Sequence, residues 1–416
     1  MASRPSPTGQ QSLLIALAFR TIPTKFLAST HLRRRFPTIG ESVTVSLVSL
    51  SAENLTTLMA KPLVTICVPT RNRVASLKKS IQKILDQDYT PLEIIISDNA
   101  STDGTEAFCE ELERSDHRVR YVRHPKNIGL HGNLNFCLGS GDGEFLCIFH
   151  DHDDHEANIV STYVAFLCEH LDVGLVCSDW ELIDEEGRSL GTRTHDVKPV
   201  TPGLEYIERA TRSGRSSIGI PGAMIRREAL GTVRFVDDAP VGYGDFPVWF
   251  EIAERWSVGH VDGQLWCWTQ SEQSQSAGTV TSMAQQYHEN LMHYCETHLE
   301  RWPEHGETVA RWQSNIRRYL FWSLAYEVAL YCRSKKTSAG SFPVTKSLPT
   351  RYELMGYKLR AEELKDVLER MRSYSTGAKQ RTALLLITLL IRLNVTWPLA
   401  WSVEHHTRLR GVLGLS

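Results

Sequence analysis

Six consecutive residues, His150-Asp-His-Asp-Asp-His155, form the densest set of metal-ligating side chains in the chain. Two chemistries compete for them. In the first, Asp151, Asp153 and Asp154 make a D-x-D site at a strand end. Carboxylates that close repel by about 4 kcal/mol per pair at an effective dielectric near 20. A divalent cation relieves that repulsion and lets the carboxylates hold a diphosphate. Oxygen-only ligands favour Mg²⁺ or Mn²⁺. In the second, His150, His152, Asp154 and His155 bind Zn²⁺, whose hydroxide attacks an ester or amide. A polar loop without metal is the plainer alternative.

Other polar residues lie where chemistry could use them. Thr70 and the backbone beside it can hold a ribose or phosphate, and Arg71 and Arg73 can contact phosphate or simply stay solvated. Asp98 can accept the imide N–H of uracil or thymine, which cytosine lacks; its alternative is to cap the following turn. Lys126 and Asn127 suit a donor-binding loop or a plain one. Asp245 stands before Val248-Trp-Phe-Glu-Ile252 and can act as a general base or cap a helix. Trp266 and Trp268 can stack on a sugar, with core packing as the leading use.

The elements that must position these residues alternate. Val64–Val68 reads as a buried strand, 75–87 as an amphipathic helix, and Leu92–Ile96 as a second strand. Thr102 or Asp103 caps a helix running to about Ser115. A strand (119–122), a helix (132–138), a strand (144–149), a helix (157–169) and a strand (173–179) follow. Such alternation predicts an α/β fold, a mostly parallel sheet with helices on both faces. Ligands bind such sheets at the carboxyl ends of the strands. Thr70–Arg73, Asp98–Asn99 and Asp151–Asp154 sit at those ends. Residues 186–235 read as loops with short elements, 284–334 as helical, 335–350 as a linker and 351–374 as a charged amphipathic helix.

Composition narrows the function classes. The 416 residues suggest two or three domains at roughly 150 each. Lys plus Arg is 46 and Asp plus Glu is 48, a net charge of −2 that gives no electrostatic case for nucleic acid. Nine scattered cysteines with no C-x-x-C pair argue against a disulfide framework and fit a reducing compartment. Before Glu41 the chain is basic and rich in Ser and Thr, so 1–60 reads as a flexible leader or spurious extension, with a targeting peptide as the alternative. Residues 383–391 are apolar on nearly all sides but are interrupted by Arg392, Asn394 and Pro398. A buried helix is the leading reading there. Peripheral membrane contact through 383–403 is the second, and a true span the third.

The letters His150-x-His152-x-Asp154-His155 resemble the metallo-β-lactamase signature. That family, however, places the motif after antiparallel strands. A wider resemblance covers 62–275, to the inverting glycosyltransferases of family 2, with the GT-A fold. Val68-Pro-Thr-Arg-Asn-Arg73 is similar to their first-strand motif, and Ile96–Thr105 to their second. Asn127–Asn135 resembles the segment before the metal site, and Gly141-Asp-Gly-Glu-Phe145 leads into the D-x-D cluster. Gly242–Trp249 is similar to the acceptor motif, with Gly244-Asp245 where the family has Glu-Asp. The polar stretch Trp268–Ser276 lacks the family's Arg and His. Glu254-Arg-Trp256 resembles the end of the Q-x-x-R-W motif of processive synthases, but Ile252 replaces its Gln.

The resemblance implies a GT-A catalytic domain over 62–280 and a helical region over 281–416 that shapes the acceptor side or docks on a membrane. It implies a metal-dependent, non-processive transferase in glycan or polysaccharide biosynthesis. Pro69, Thr70, Arg71, Arg73, Asp98, Asn127 and Asp151 would bind the nucleotide-sugar, with UDP- or dTDP-sugars favoured. Asp151, Asp153 and Asp154 would hold Mg²⁺ or Mn²⁺, and Asp245 would be the base. The acceptor would be a glycan or lipid-linked. The protein would be cytoplasmic, with a peripheral site on the inner face of the plasma membrane. A zinc hydrolase and a non-catalytic nucleotide-sugar binder remain as alternatives.

Overall fold

Val64–Thr70 (β1) is an almost unbroken run of buried residues. It pairs in parallel with Leu92–Asp98 (β2) on one side and Phe145–Ile148 (β4) on the other. β2 pairs in parallel with Val119–Arg123 (β3). Strands covered on both faces need apolar residues on both, which is why β1 and β2 show little alternation. A computed structural model of the chain describes residues 61–194, 198–214, 218–235, 245–270, 280–337 and 363–392. The expected leader, Gly244, most of the expected linker and residues 393–403 lie outside the described residues.

The connections are helices: Val74–Leu85 (α1), Thr105–Ser115 (α2), Gly129–Leu138 (α3) and Ile159–Glu169 (α4). α1 buries Leu77, Ser80, Ile81 and Ile84, one helical stripe. The start of α2 differs from expectation. Gly104, in a left-handed conformation, is the N-cap, while the Asp103 carboxylate accepts from the Thr105 N–H at 3.2 Å and its hydroxyl at 2.6 Å.

After Asp154–His155 (β5) come Val173–Asp184 (β6), Ser189–Arg193 (β7), Val200–Thr201 (β8), Ala223–Arg226 (β9) and Ser257–Gln270 (β10). The strand order is β3-β2-β1-β4-β9-β6-β10-β5, with β7 on β6 and β8 on β10. Along that path only β9 and β5 run against the rest, so the sheet is mixed but mostly parallel. Gly203–Ser213 (α5) lies in the stretch read as loops. It buries Gly203, Tyr206, Ile207, Ala210 and Thr211, an i, i+3, i+4, i+7, i+8 stripe in which only Tyr206 and Ile207 are large and apolar, and Gly214 ends it in a left-handed turn. Arg227–Leu230 (α6) and Asp245–Ala253 (α7) precede β10.

Val280–Arg301 (α8), Gly306–Thr337 (α9), Leu364–Tyr374 (α10) and Ala378–Arg392 (α11) complete the described chain. Residues 61–416 cluster as one compact unit. One face of the sheet packs on α1 and α4 through residues such as Ile81, Tyr163 and Leu167. The other packs on α3, α5 and α7 and, beyond them, on α8 to α11 in one continuous apolar cluster. Phe246 and Phe250 of α7 meet Tyr287 and Tyr294 of α8 edge to face. Burying an aromatic side chain of this size contributes about 1.5–3 kcal/mol. Among the described residues no helix is long and apolar enough to cross a membrane.

Candidate active site

In register, Thr70 stands opposite Asp98, and β4 beside them ends two residues before His150. The three polar clusters therefore share one edge of the sheet. Two turns leaving this edge hold residues with left-handed backbone, Asn72 (φ 52°) and Ala100 (φ 59°). That conformation costs an ordinary L-residue about 1–2 kcal/mol and persists where surroundings impose it. Here the turns pin each other. The Asn72 N–H donates to Ser101 Oγ at 2.9 Å, and Asn72 Oδ1 accepts from the Thr102 N–H at 2.7 Å.

Asp151 joins the first strand to the acidic turn. Its Oδ2 accepts from the Thr70 hydroxyl at 2.7 Å, and its Oδ1 faces Arg73 at 3.4 Å and His152 Nδ1 at 2.9 Å. Burial would raise the pKa of this carboxyl. The His152 and Arg73 charges and the hydrogen bonds outweigh it, and the pKa is lowered. Arg73 also lies 3.0 Å from His152 Nδ1. That nitrogen can donate to Asp151 or accept from Arg73, but not both at once. Burial pulls the His152 pKa down; the hydrogen bond to Asp151 and the Asp153 charge prevail and raise it.

Asp153 is completely buried. Its Oδ1 accepts from the Thr269 N–H of β10 at 2.9 Å. Its Oδ2 lies 3.2 Å from His150 Nδ1, near enough for an ion pair, yet makes no well-directed hydrogen bond. Burial pushes this carboxyl up, while His150, His152 and the Thr269 N–H bring it down further. Among the described residues, ligand atoms of His150, His152 and Asp153 lie within 4.8 Å of one another, and Asp151 and Asp154 fall outside that group. A buried carboxylate oxygen without a hydrogen bond, beside two imidazoles, fits a divalent cation. The carboxylate triplet of the D-x-D expectation is thus spread over three environments.

Asp154 is half-buried in β5, paired across to Cys267. His155 stacks on Phe149, with ring centroids 3.7 Å apart, and its Nε2 donates to the Pro221 carbonyl at 2.8 Å. Burial lowers its pKa to about 4, so it is neutral near pH 7. His155, one of the four letters in the zinc-hydrolase pattern, is therefore occupied by a carbonyl and ring packing, which disfavours that alternative.

Asp98 is wholly buried and turned inward. Oδ1 accepts from the Ser101 N–H at 2.9 Å, Oδ2 accepts from the Tyr121 hydroxyl at 2.7 Å, and Arg123 lies 3.8 Å away. Pro69 lies within β1, and Arg71 is exposed. Asn127 is exposed and accepts from the Gly129 N–H at 3.0 Å. Asn99 holds that loop, accepting from the Ile128 N–H and donating to the Gly129 carbonyl. Asp245 is the half-buried first residue of α7, whose buried Phe246, Val248, Trp249 and Phe250 fix where the helix starts. An acidic residue there also favours the helix dipole.

Trp266 is buried against Gly219 and Gly222, while Trp180 and Trp268 are half-exposed, 5.5 Å apart between ring centroids. Glu254 of the Arg-Trp sequence is used structurally. Its carboxylate receives His298 at 2.8 Å, Arg301 at 2.6 Å and the Trp302 indole N–H at 2.9 Å. Sequence reasoning misses Thr269 and Tyr121 as parts of the site; it places Asn99 at a strand end but not its hold on the 127–129 loop. Thr269 acts through its backbone from a strand 116 residues away, which no side-chain pattern signals. Tyr121 stood in an expected strand with nothing to mark its partner, while Asn99 lay inside the quoted second-strand motif.

The family model for glycosyl transferase family 2 matches residues 65–234. A Campylobacter jejuni protein named GalNAc(5)-diNAcBac-PP-undecaprenol beta-1,3-glucosyltransferase is 36% identical over 102 residues, 24% of this chain and 33% of that one. TuaG of Bacillus subtilis, named as a candidate glycosyltransferase of teichuronic acid biosynthesis, is 25% identical over 42% of this chain and 66% of that one. The chain thus spans from a third to just under two thirds of the length of these relatives. Staphylococcus aureus TarS 1-349, solved with UDP-GlcNAc, aligns over 83% of this chain and 91% of that one. The TM-score is 0.52 at 15% identity, a likeness of fold alone. Residues 65–234 belong to a family 2 glycosyltransferase domain, and the fold is GT-A.

Proposed function

We propose that this chain is a metal-dependent, inverting glycosyltransferase that moves one sugar per encounter from a UDP- or dTDP-sugar to a hydroxyl of a glycan or lipid-linked acceptor. The buried Asp153 oxygen without a hydrogen bond, beside His150, His152 and the Thr70–Asp151–Arg73 cluster, carries this reading. Asp153, with Asp151 and Asp154 on either side, would hold Mg²⁺ or Mn²⁺ through carboxylate oxygens, and His150 and His152 stand beside that site. The bound cation supplies positive charge to the departing diphosphate.

The remaining chemistry belongs to the chain. Arg73 and the exposed Arg71 follow the end of β1, where they would contact the phosphates. Asp98 reads the imide N–H through a lone pair left over from its internal bonds, and Asn127 closes the donor loop. Pro69 and Thr70 line the first-strand end. Asp245 takes the proton of the acceptor hydroxyl as its oxygen attacks the anomeric carbon and the bond to the diphosphate breaks. A placed base of this kind contributes typically about 10²–10⁴-fold. The undecaprenol-linked name of one relative and the teichuronic acid name of another support a role in polysaccharide biosynthesis. A nucleotide-sugar binder without catalysis is the remaining alternative.

Thermal unfolding with UDP-, dTDP-, GDP- and CMP-sugars, each with Mn²⁺ or with EDTA, tests the donor. Ligand at 100 times its Kd stabilises by about 2.7 kcal/mol. A rise with a UDP- or dTDP-sugar that EDTA removes, together with loss of transfer in Asp153→Ala, is the expected result. Stabilisation by Zn²⁺ alone, with no response to any nucleotide, would overturn it. Donor binding without hydrolysis or transfer to any acceptor would favour the binder.

A further inference from the structure

α11 is apolar on two opposite faces. Leu384 and Ile387 are buried, and Ala383 and Ile391 pack beside them on the helical cluster. Leu385, Leu386 and Leu389 point the other way and are 73%, 54% and 52% exposed. At 100° per residue these three leucines, with Ala378 and Thr382, form one outward stripe. A surface helix needs one apolar stripe, against the core; the second has no partner among the described residues. Exposed Lys379 and Arg381 flank the stripe on either side near its start.

Charge says what kind of surface would cover it. Between Glu369 and Glu404 the sequence holds no acidic residue, but Arg370, Arg372, Lys379, Arg381 and Arg392. The chain as a whole is nearly balanced, with 46 basic and 48 acidic residues. Arg370 is turned inward onto Gln285, and Arg372 is exposed. An apolar stripe bordered only by cations is complementary to a bilayer whose headgroups are anionic and whose acyl chains lie just beneath. A protein partner would need an acidic rim around an apolar groove. The 15-residue helix is about 22 Å long, short of the roughly 30 Å hydrocarbon core. It can lie in the interface but cannot span.

The geometry points to the outward face of α11 as a docking surface for an anionic phospholipid bilayer, with Leu385, Leu386 and Leu389 entering the acyl boundary and Lys379 and Arg381 at the headgroups. This surface is a second site, independent of the donor chemistry above.

Co-sedimentation of the purified full chain tests it, using vesicles of phosphatidylcholine alone or of equal parts phosphatidylcholine and phosphatidylglycerol. The chain is expected to sediment with the anionic vesicles and much less with the neutral ones. The triple variant Leu385→Ser, Leu386→Ser, Leu389→Ser should lose binding by about tenfold or more, since each leucine withdraws apolar area from water. Its melting temperature should stay near that of the parent. The double variant Lys379→Glu, Arg381→Glu leaves the leucines in place and should remove the preference for anionic lipid. Absence of binding to either vesicle would overturn the proposal, as would undiminished binding of the triple variant. A parent that sheds its leucine dependence into dimerisation, or whose triple variant melts far lower without any vesicle effect, would instead place a second copy or the chain's own 393–416 over the stripe. No donor or acceptor enters this assay, so its failure leaves the transferase reading untouched.

Discussion

The Thr70 hydroxyl lies 2.7 Å from Asp151 Oδ2, tying the end of β1 to the acidic turn 81 residues later. Both residues are almost fully buried. One short hydrogen bond thus fixes the orientation of the aspartate that heads the acidic turn. Its other oxygen is left for Arg73 and His152.

Thr70→Val keeps the shape and removes the donor. A hydrogen bond to a buried carboxylate contributes about 1.5–3 kcal/mol, so stability should fall by an amount near that. Thr70→Ser restores the hydroxyl and should recover most of the loss. Urea midpoints of the three proteins decide the matter. Equal midpoints for the valine and serine variants would show that packing, not the hydroxyl, is what counts.

Asp245→Asn should lower the transfer rate by about 10²–10⁴-fold while donor binding is retained, because only the proton acceptor is removed. Turnover and donor-induced thermal shifts, measured on the same preparation, separate the two effects. A variant that turns over like the parent rules out Asp245 as the base.

Glu254 is held by His298, Arg301 and Trp302 with its side chain only 2% exposed. Burial opposes ionisation, but these three partners lower its pKa to about 2 from an ordinary 4.5. The folded-state pKa is depressed, so the carboxylate's contribution is complete above about 4.5. It is lost as pH falls from there towards 2. Glu254→Ala takes the carboxylate from the buried His298, from the Trp302 indole N–H and from the exposed Arg301, and should cost about 1–3 kcal/mol at pH 7. The gap between parent and variant in chemical unfolding should narrow at pH 3. A gap that is constant with pH would assign the loss to packing alone.

Gly222→Ala would drive a Cβ into the Trp266 indole nitrogen. Trp266 is buried, pairs with His155 across the strands, and packs against the Trp180 ring and Gly219. Overpacking of this kind costs about 1–3 kcal/mol. A melting temperature equal to the parent's would mean that the indole moves freely. In that case the Trp180–Trp266–Trp268 group is not the fixed wall it looks to be.

The alternation of apolar strands and amphipathic helices from Val64 to Asp184 was legible because burial on both sheet faces forces it on composition. The placing of Thr70, Asp98 and Asp151 on one sheet edge followed from parallel strand order alone. α5 escaped although its buried residues fall at helical spacing, because three of the five are Gly, Ala or Thr and only Tyr206 and Ile207 are large and apolar. The family resemblance was carried by ordered polar motifs, each at a strand end, where local sequence and position coincide.

What local sequence could not decide was which groups in His150–His155 converge. Six ligating side chains in a row look equivalent as letters. The turn brings His150 and Asp153 together at 3.2 Å, while β5 pairing takes Asp154 and packing on Phe149 takes His155. Asp98 likewise reads as a base contact from its motif, yet its oxygens are also shared with Ser101 and Tyr121. Those assignments depend on directions and on donors far off in the chain, such as the Thr269 N–H on Asp153. Sequence carries residue type and period; only the folded chain sets which lone pair is left over for a ligand.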